Sequence, residues 1–367
     1  MRFSFLCSLL ILCFARVADA DDQLKIGAVF SLSSWGAEGG TAELNGLRLA
    51  QEDINKAGGI GGKKVEIVVE DNRSDLKATA SAIRKVIDID GVVAIVGPNW
   101  AEFTEVAAPI SEGAKVTLIS PTGYKEGLFE GKRFAFTLWQ PHHVATTPLS
   151  EVFRTRGYRN VEVLLSENAY LEGILNGVQA NLRGTNVSVS EAHRFAAGQK
   201  DYRSIITRLK AKRPDAVLVL LLENSDLSPF LVQAKQLKLG LPLYTANGVA
   251  FDAELLANPA IAEGMTYFDY LTPGGEQFLN RYRERYGREA GFGSARAYDA
   301  LFLLKDAITR CGARRDLIRN CVSDASYGGL SGLISFDNSG VIKTKEPNTY
   351  LAEIRDGKVA RVPNHPS

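Results

Sequence analysis

Hydroxyl, amide and aromatic side chains occur together in loops that follow predicted strands, and such side chains can bind a small ligand. The candidate residues are Trp35, Trp100, Ala101, Thr122, Tyr124, Tyr170, Glu223 and Asn247. In parallel α/β sheets, ligands bind outside the carboxyl ends of the strands, where these loops are expected. Free backbone N–H groups at a helix start suit a ligand carboxylate, and aromatic rings supply apolar walls. The same residue types also cap helices or pack between domains, so a structural role stays open for each.

Segments that resemble catalytic motifs have simpler structural explanations. The glycines of residues 58–62 follow a predicted helix, whereas a phosphate-binding loop follows a strand and opens a helix. Segment 328–332 contains a serine, Ser331, but lacks the glycine that a nucleophile elbow has two residues after its serine. His142 and His143 have no evident acid to orient them, and the four histidines lack metal-ligand spacing. We therefore expect a protein without catalytic residues, metal or cofactor.

Short apolar runs alternate with amphipathic stretches, and this pattern predicts the elements that position the loops. Strands are expected at residues 24–32, 64–70, 92–96, 116–119, 161–165, 187–194, 215–222 and 243–246. Helices are expected at residues 44–54, 76–89, 102–112, 142–156, 170–182, 202–212 and 227–239. Such alternation is typical of parallel sheets with helices on both faces.

The β/α series restarts near residue 140, which predicts two doubly wound sheets in succession. The final third is less regular. Helices are expected at 278–286 and 295–311, followed by short strands at 333–336 and 349–354.

The N-terminus has the features of a secretory signal peptide. Arg2 supplies positive charge, residues 3–14 form an apolar run, and Ala18 and Ala20 fit the small-residue pattern before a cleavage site. The apolar run is shorter than the roughly 20 residues that span a bilayer. We therefore expect residues 1–20 to be removed and the mature protein to be exported.

Charge and cysteine content narrow the class further. The chain has 43 basic and 42 acidic residues, and without Arg2, Arg16 and Asp19 it keeps 41 of each. A neutral chain without basic blocks is not typical of proteins that bind nucleic acid or anionic membranes. Cys311 and Cys321 remain after signal removal, and an oxidising compartment favours a disulfide between them. The alternative, a metal site, would need two further ligands.

Six motifs follow one another over nearly the whole mature chain. They are AQEDINKAGGIGGKKVEIVVEDNRSD at 50–75, AIVGP at 94–98, ISPTG at 119–123, KDYRSIITRLKAKRPDAV at 200–217, ARAYDALFLLKDAI at 295–308 and LSGLISFDNSG at 330–340. In this order they resemble the type I periplasmic binding proteins of the branched-chain amino acid (leucine/isoleucine/valine) group. The resemblance covers residues 24–362.

This resemblance implies two α/β lobes joined by a three-crossover hinge, with the ligand held between them by closure. Lobe 1 would comprise residues 21–139 and 270–346, and lobe 2 residues 140–269 and 347–367. The implied function is that of a monomeric periplasmic component of an ABC importer, with a small-molecule ligand and membrane permease subunits as partners. A ligand-sensing module for a receptor or kinase has the same fold and is the alternative, and an enzyme is a third.

Most candidate residues fall on positions of the family's ligand site. Thr122 and Tyr124 match the small residue and threonine that follow a strand of the first lobe, and Tyr170 matches an aromatic of the second. Residues 33–35, which end in Trp35, replace the family's SGP turn at the mouth.

Two departures from the family bear on the ligand. Ala101 stands where a serine usually binds the α-carboxylate, and Asn247 stands where an acid usually binds the ammonium group. An amide oxygen replaces only part of the attraction between a carboxylate and a buried ammonium. Glu223 could compensate for the missing acid. Otherwise the site suits an uncharged or aromatic ligand, or a carboxylate that lacks an amine, beside aromatic residues such as Trp100.

Overall fold

The computed structural model describes residues 23–222, 226–247, 255 and 257–362. The predicted signal peptide and Glu223 lie outside these residues. Within the described part of the chain, no helix combines the length and apolarity that crossing a membrane requires.

The first sheet has five parallel strands in the order β2-β1-β3-β4-β5. They are β1 (Gln23–Phe30), β2 (Lys64–Asp71), β3 (Ala94–Val96), β4 (Thr117–Ser120) and β5 (Ala135–Thr137). The helices between them are α1 (Ala37–Lys56), α2 (Leu76–Arg84) and α3 (Ala101–Ala114). All carboxyl ends of these strands therefore meet at one edge, as the β/α alternation predicted.

Side chains of β1 alternate between two apolar layers, which fixes the helices on both faces of the first sheet. Ile26 and Phe30 pack in a buried cluster with α1 and with two helices from the end of the chain. Val29 points to the other face, where α2 and α3 cover the sheet. The late helices are α9 (Gly275–Tyr286), α10 (Ser294–Cys311) and α11 (Arg315–Ser323), and α10 and α11 join the first of these clusters.

The second sheet follows the order β15-β14-β11-β10-β9-β6-β7, with β8 also paired to β6. Its strands are β6 (Asn160–Ser166), β7 (Ser188–Val189), β8 (His193–Phe195), β9 (Ala216–Leu220), β10 (Leu243–Thr245), β11 (Thr266–Tyr270), β14 (Thr349–Arg355) and β15 (Lys358–Val362). Its helices are α4 (His142–Ala145), α5 (Thr147–Thr155), α6 (Ala169–Leu182), α7 (Arg203–Lys212) and α8 (Leu227–Gln236). A separate hairpin pairs β12 (Tyr327–Gly329) with β13 (Gly332–Ile334).

Two apolar layers again cover the sheet. Val163 packs with α5 and α6 on one face, and Leu164 packs with α7 and α8 on the other. Burying large aliphatic side chains on both faces stabilises such a sheet by about 1.5–3 kcal/mol per residue.

The α/β class and the two-sheet arrangement are confirmed, and the second sheet is mixed rather than parallel throughout. Strands β14 and β15 run antiparallel to their neighbours in the second sheet. They form a hairpin whose turn, Asp356 and Gly357, has positive φ angles of 52° and 66°. Both φ values suit a tight hairpin turn, and an antiparallel hairpin needs no crossover helix.

Some element boundaries also differ from the prediction. The strand expected at 187–194 is split into β7 and β8, which pair separately with β6. The helix expected at 76–89 ends at Arg84 and continues as a π-helical turn over Lys85–Ile89.

Three chain segments connect the two sheets, and hydrogen bonds hold them together. They lie near residues 140, 271 and 348, after β5, after β11 and before β14. The Gln140 side-chain oxygen accepts from the Asn348 backbone N–H at 2.8 Å, and the Leu271 N–H donates to the Asn348 carbonyl at 3.1 Å. The three crossings therefore form one connected strip.

The predicted disulfide between Cys311 and Cys321 is present, with 6.3 Å between the two Cα atoms. It ties the end of α10 to α11, and Cys321 is buried in the apolar cluster of the first sheet. The bridge restricts the unfolded chain more than the folded one.

We expect the double variant C311A/C321A to lose about 3 kcal/mol of unfolding free energy, because removing the disulfide raises the conformational entropy of the unfolded chain. Urea denaturation followed by circular dichroism measures this loss. Wild-type protein unfolded in the presence of a thiol reductant is the control and should show the same loss. An unchanged midpoint in both samples would contradict the prediction.

Candidate functional site

Loops at the carboxyl edge of the first sheet are held against one another by side-chain hydrogen bonds. The Ser31 backbone N–H donates to the Asn99 side-chain oxygen at 3.0 Å, which joins the loops after β1 and β3. The Gly123 N–H donates to the Ser120 hydroxyl oxygen at 2.8 Å. A Cβ on Gly123 would lie 2.0 Å from the Thr104 hydroxyl oxygen and 2.8 Å from the Trp100 carbonyl oxygen. Only glycine therefore lets the loop after β4 approach the start of α3 this closely.

Trp100 and Ala101 stand at the start of helix α3, beside an exposed aromatic group. Trp100 precedes the helix with φ 66°, an unusual conformation for a residue with a side chain. Its ring centroid lies 5.6 Å from that of Trp35, whose ring is also 5.8 Å from Phe103. Trp35 is 61% exposed, and the Trp100 Nε1 is buried without a hydrogen-bond partner among the described residues.

Thr122 is joined to a buried acid that the sequence analysis did not single out. Its hydroxyl donates to Glu43 Oε1 at 2.6 Å, and Glu43 is only 2% exposed. Burial raises the pKa of the Glu43 carboxyl to about 8, although the Thr122 hydrogen bond and the Arg296 charge oppose this shift. The second oxygen, Oε2, is buried and has no hydrogen-bond partner in the described chain.

Tyr170 and Asn247, predicted from separate loops of the second sheet, are in direct contact. Asn168 caps helix α6, because its side-chain oxygen accepts from the Tyr170 backbone N–H at 2.9 Å. The Tyr170 hydroxyl donates to the Asn247 side-chain oxygen at 2.7 Å and lies 3.1 Å from the hydroxyl of Tyr270. Tyr270 is the last residue of β11, and its burial raises the pKa of its hydroxyl.

A group of residues at the crossings packs against Tyr270, and sequence reasoning missed it. We refer to Thr122 with Glu43 as the first half-site and to Tyr170 with Asn247 as the second. The ring of Trp139 lies 4.5 Å from that of Tyr270 and 5.4 Å from that of Phe292. The guanidinium carbon of Arg296 lies 4.8 Å from the centroid of the Trp139 ring. Only the predicted lobe boundaries could have indicated this group, because Trp139 ends the first segment of lobe 1 and Tyr270 begins its second segment.

His142 forms a second link between the sheets, and here the sequence expectation is wrong. We expected no acid to orient this histidine, but its Nδ1 lies 3.0 Å from Glu126 Oε2. Burial of Glu126 opposes its ionisation, yet the hydrogen bond with His142 lowers the pKa of the Glu126 carboxyl. The His142 ring lies 5.1 Å from the Tyr124 ring and 5.7 Å from the Tyr170 ring. The His142 ring therefore contacts both Tyr124, which follows a strand of the first sheet, and Tyr170, which follows a strand of the second.

The structure thus brings most of the predicted residues into two connected groups. Tyr124, in the loop after β4, and Tyr170 share His142 as a neighbour, and Tyr170 is bonded to Asn247. Thr122, in the same loop as Tyr124, is bonded to Glu43. Trp35 and Trp100 form an aromatic cluster on the first sheet's side. Glu223 lies outside the described residues.

A family model described as periplasmic binding protein matches residues 23–358. The chain belongs to the periplasmic binding protein family. A relative named leucine-, isoleucine-, valine-, threonine-, and alanine-binding protein, from Pseudomonas aeruginosa, is 25% identical over 347 residues and 92% of each chain.

Solved structures share the fold of this periplasmic binding protein. The branched-chain amino acid transporter substrate binding protein LivJ from Streptococcus pneumoniae, in complex with isoleucine, is 27% identical with a TM-score of 0.76. The match covers 92% of this chain and 98% of that one. A solute binding protein of an ABC transporter from Rhodopseudomonas palustris, in complex with 3,4-dihydroxybenzoic acid, is 21% identical with a TM-score of 0.74. That match covers 93% of this chain and 96% of that one.

One cavity of this binding protein lies away from the residues just described. It has a volume of about 380 Å³ and is lined by Arg154, Gly157, Tyr158, Arg159, Gly184, Thr185, Asn186 and Val187. These residues flank Asn160 and Ser188, where β6 and β7 begin. Tyr170 follows the opposite end of β6, so the cavity and the candidate site are at opposite edges of the second sheet.

The raised pKa of Glu43 predicts that the protein becomes less stable as the pH rises. The pKa is raised from 4.5 to about 8 in the folded protein, so the folded state binds more protons within this window. Unfolding free energy therefore falls as pH rises from 4.5 to 8, by at most about 1.4 kcal/mol per pH unit from this group. Urea denaturation at several pH values should show a flatter slope for Glu43→Gln, which cannot ionise.

The matched control is Glu105→Gln, which removes an exposed acid paired with Lys125. This variant should keep the wild-type slope, because exposed pairs contribute little. Equal slopes in wild type and Glu43→Gln would show that Glu43 is ionised in the folded protein.

Proposed function

We propose that this chain is the substrate-binding component of an ABC importer, exported through a cleaved signal peptide of residues 1–20. It traps one small ligand between two lobes by hinge closure and releases it unchanged to membrane permease subunits. Lobe 1 comprises residues 21–139 and 270–346, and lobe 2 residues 140–269 and 347–367. The protein acts as a monomer.

One observation carries this proposal: polar side chains are paired at the carboxyl-edge loops of both sheets, and His142, next to the first crossing, contacts Tyr124 on one side and Tyr170 on the other. Thr122 and Glu43 come from the first side, and Tyr170 and Asn247 from the second. Ligands of open α/β sheets bind at this edge. Three crossings linked by hydrogen bonds near Asn348 offer a hinge about which the sheets can move.

The relatives favour transport over sensing or catalysis. The matched Streptococcus pneumoniae and Rhodopseudomonas palustris proteins are described as transporter binding proteins. One holds an amino acid and the other an aromatic acid, so this fold is compatible with both ligand classes. The ligand of this chain therefore depends on its own residues, and it is a small amino acid-like, carboxylate or aromatic compound.

Thr122→Ala and Tyr170→Ala should each weaken ligand binding about tenfold or more, because each removes a polar group from one half of the site. A thermal-shift screen of amino acids, amides and aromatic acids identifies a ligand, and calorimetry measures its affinity for each variant. Thr309→Ala, which removes an exposed hydroxyl at the end of α10, is the control. Unchanged affinity in both site variants of a folded protein would remove this site assignment.

Asn247→Glu should shift ligand preference towards compounds with an ammonium group. The substitution supplies a carboxylate where the wild type offers an amide oxygen, and a charged acceptor binds an ammonium more strongly. Calorimetry with L-leucine and with its deaminated counterpart, 4-methylpentanoate, measures the change in preference. Asn247→Gln keeps the amide and should leave the preference as in wild type. A preference that is equal in Asn247→Glu and wild type would refute this role for position 247.

A further inference from the structure

Arg296 is a buried cation at the junction of the two half-sites. It lies in the first turn of α10 and is 3% exposed. Its guanidinium lies over the Trp139 ring, which contacts Tyr270, and the Tyr270 hydroxyl contacts that of Tyr170. Its charge also interacts with that of Glu43, which accepts the Thr122 hydrogen bond. Arg296 therefore contacts the aromatic residues that lead to Tyr170 and interacts electrostatically with the acid bonded to Thr122.

No acid of the described chain forms an ion pair with this guanidinium. Arg296 Nη1 donates to the Phe292 carbonyl at 2.6 Å, which is a bond to a neutral group. No described carboxylate oxygen lies within the 4.0 Å that defines an ion pair. Burying a cation without an ionic partner is costly, and burial lowers the pKa of Arg296 to about 10.

The two acids that interact electrostatically with Arg296 form their hydrogen bonds with other residues. One oxygen of Asp299 accepts from the Leu330 backbone N–H at 2.7 Å, and the other accepts from the Ser331 N–H at 2.7 Å and from its hydroxyl. Asp299 thereby holds the β12–β13 turn. Glu43 is bonded to Thr122, and its raised pKa keeps it mostly protonated at neutral pH. Both acids raise the pKa of Arg296 through their charge, but neither forms an ion pair with its guanidinium.

We propose that Arg296 supplies the counter-charge for a ligand carboxylate, and that the ligand is a monocarboxylate without an ammonium group. This inference rests on the proposed function, because it requires a ligand between the lobes. A carboxylate gives a buried arginine the partner and the paired hydrogen bonds that it favours. An ammonium group on the ligand would place a second cation near Arg296. The neutral amide of Asn247 and the phenol of Tyr170 do not offset a second buried cation.

The second half of the site fits such a ligand. The ring centroids of Trp139, Tyr270 and Phe292 lie within 5.9 Å of one another at tilted angles, which provides an apolar wall beside the guanidinium. Tyr170 and Asn247 supply neutral polar groups at the other end. This combination suits a carboxylate attached to an aromatic or branched apolar body.

The test compares acids with matched uncharged and amine-bearing counterparts by calorimetry at pH 7. The first set is 4-methylpentanoate, 4-methylpentanamide and L-leucine. The second set is 3-phenylpropanoate, 3-phenylpropanamide and L-phenylalanine, and benzoate with benzamide completes the panel. We expect at least one acid to bind wild type about tenfold or more tightly than its amide and its amino acid.

Variants of Arg296 then test its role with the acid that binds. Arg296→Gln should lower the affinity for the acid by about 30-fold or more, because the acid loses its charged partner. The affinity for the amide should fall by less than about threefold. Arg296→Lys retains the charge and should recover part of the affinity. Arg281→Gln is the control, since Arg281 is a partly buried arginine paired with Asp53 away from the site. Thermal unfolding of each variant confirms that it is folded.

Three results would overturn the inference: an amino acid or amide that binds wild type as tightly as its acid, no binding of any acid, or equal acid affinity in folded Arg296→Gln and wild type. The proposed function fails separately. If an amino acid or amide binds and Tyr170→Ala weakens it, the function stands while the role of Arg296 does not. If Tyr170→Ala and Thr122→Ala have no effect on any bound compound, the proposed site itself is wrong.

Discussion

Polar and charged groups buried between the two sheets are the constraint on which the rest of the structure depends. Arg296 and Glu43 are almost completely buried, and Glu43 Oε2 has no hydrogen-bond partner in the described chain. Burying such groups costs free energy that partners must offset. The hydrogen bonds of Thr122 and Tyr170 offset only part of that cost within each half. A ligand that contacts both halves of the site can offset the rest of this free-energy cost.

The sheets bring these groups together through their topology. Parallel strands place every loop after β1, β3 and β4 at one edge, and the loops after β6 and β10 share an edge in the second sheet. The crossings then hold the two edges side by side. Close backbone approach at two glycines completes the first half: Gly123 lies against α3, and a Cβ on Gly293 would meet the Glu43 side chain at 2.6 Å.

Local sequence pattern predicted the elements but not the contacts between them. The β/α alternation located β1, β3, β6 and α6 within a few residues, because apolar periodicity is a local property. Strand β11 was missed, since four of its five residues are buried without alternation and it pairs with β14 at the far end of the chain. Arg296 and Glu43 looked like ordinary helix residues. Their burial arises from Trp139 and Thr122, which are distant in sequence, and no helical pattern reports such contacts.

The central expectation is a ligand bound between the sheets, in contact with both halves of the site. A crystal structure of the protein grown with a carboxylate that binds in solution tests this directly. We expect electron density for that compound between Thr122 and Tyr170, with its carboxylate within hydrogen-bond distance of the Arg296 guanidinium. Density found only elsewhere, for example in the cavity beside Arg154 and Arg159, would contradict it.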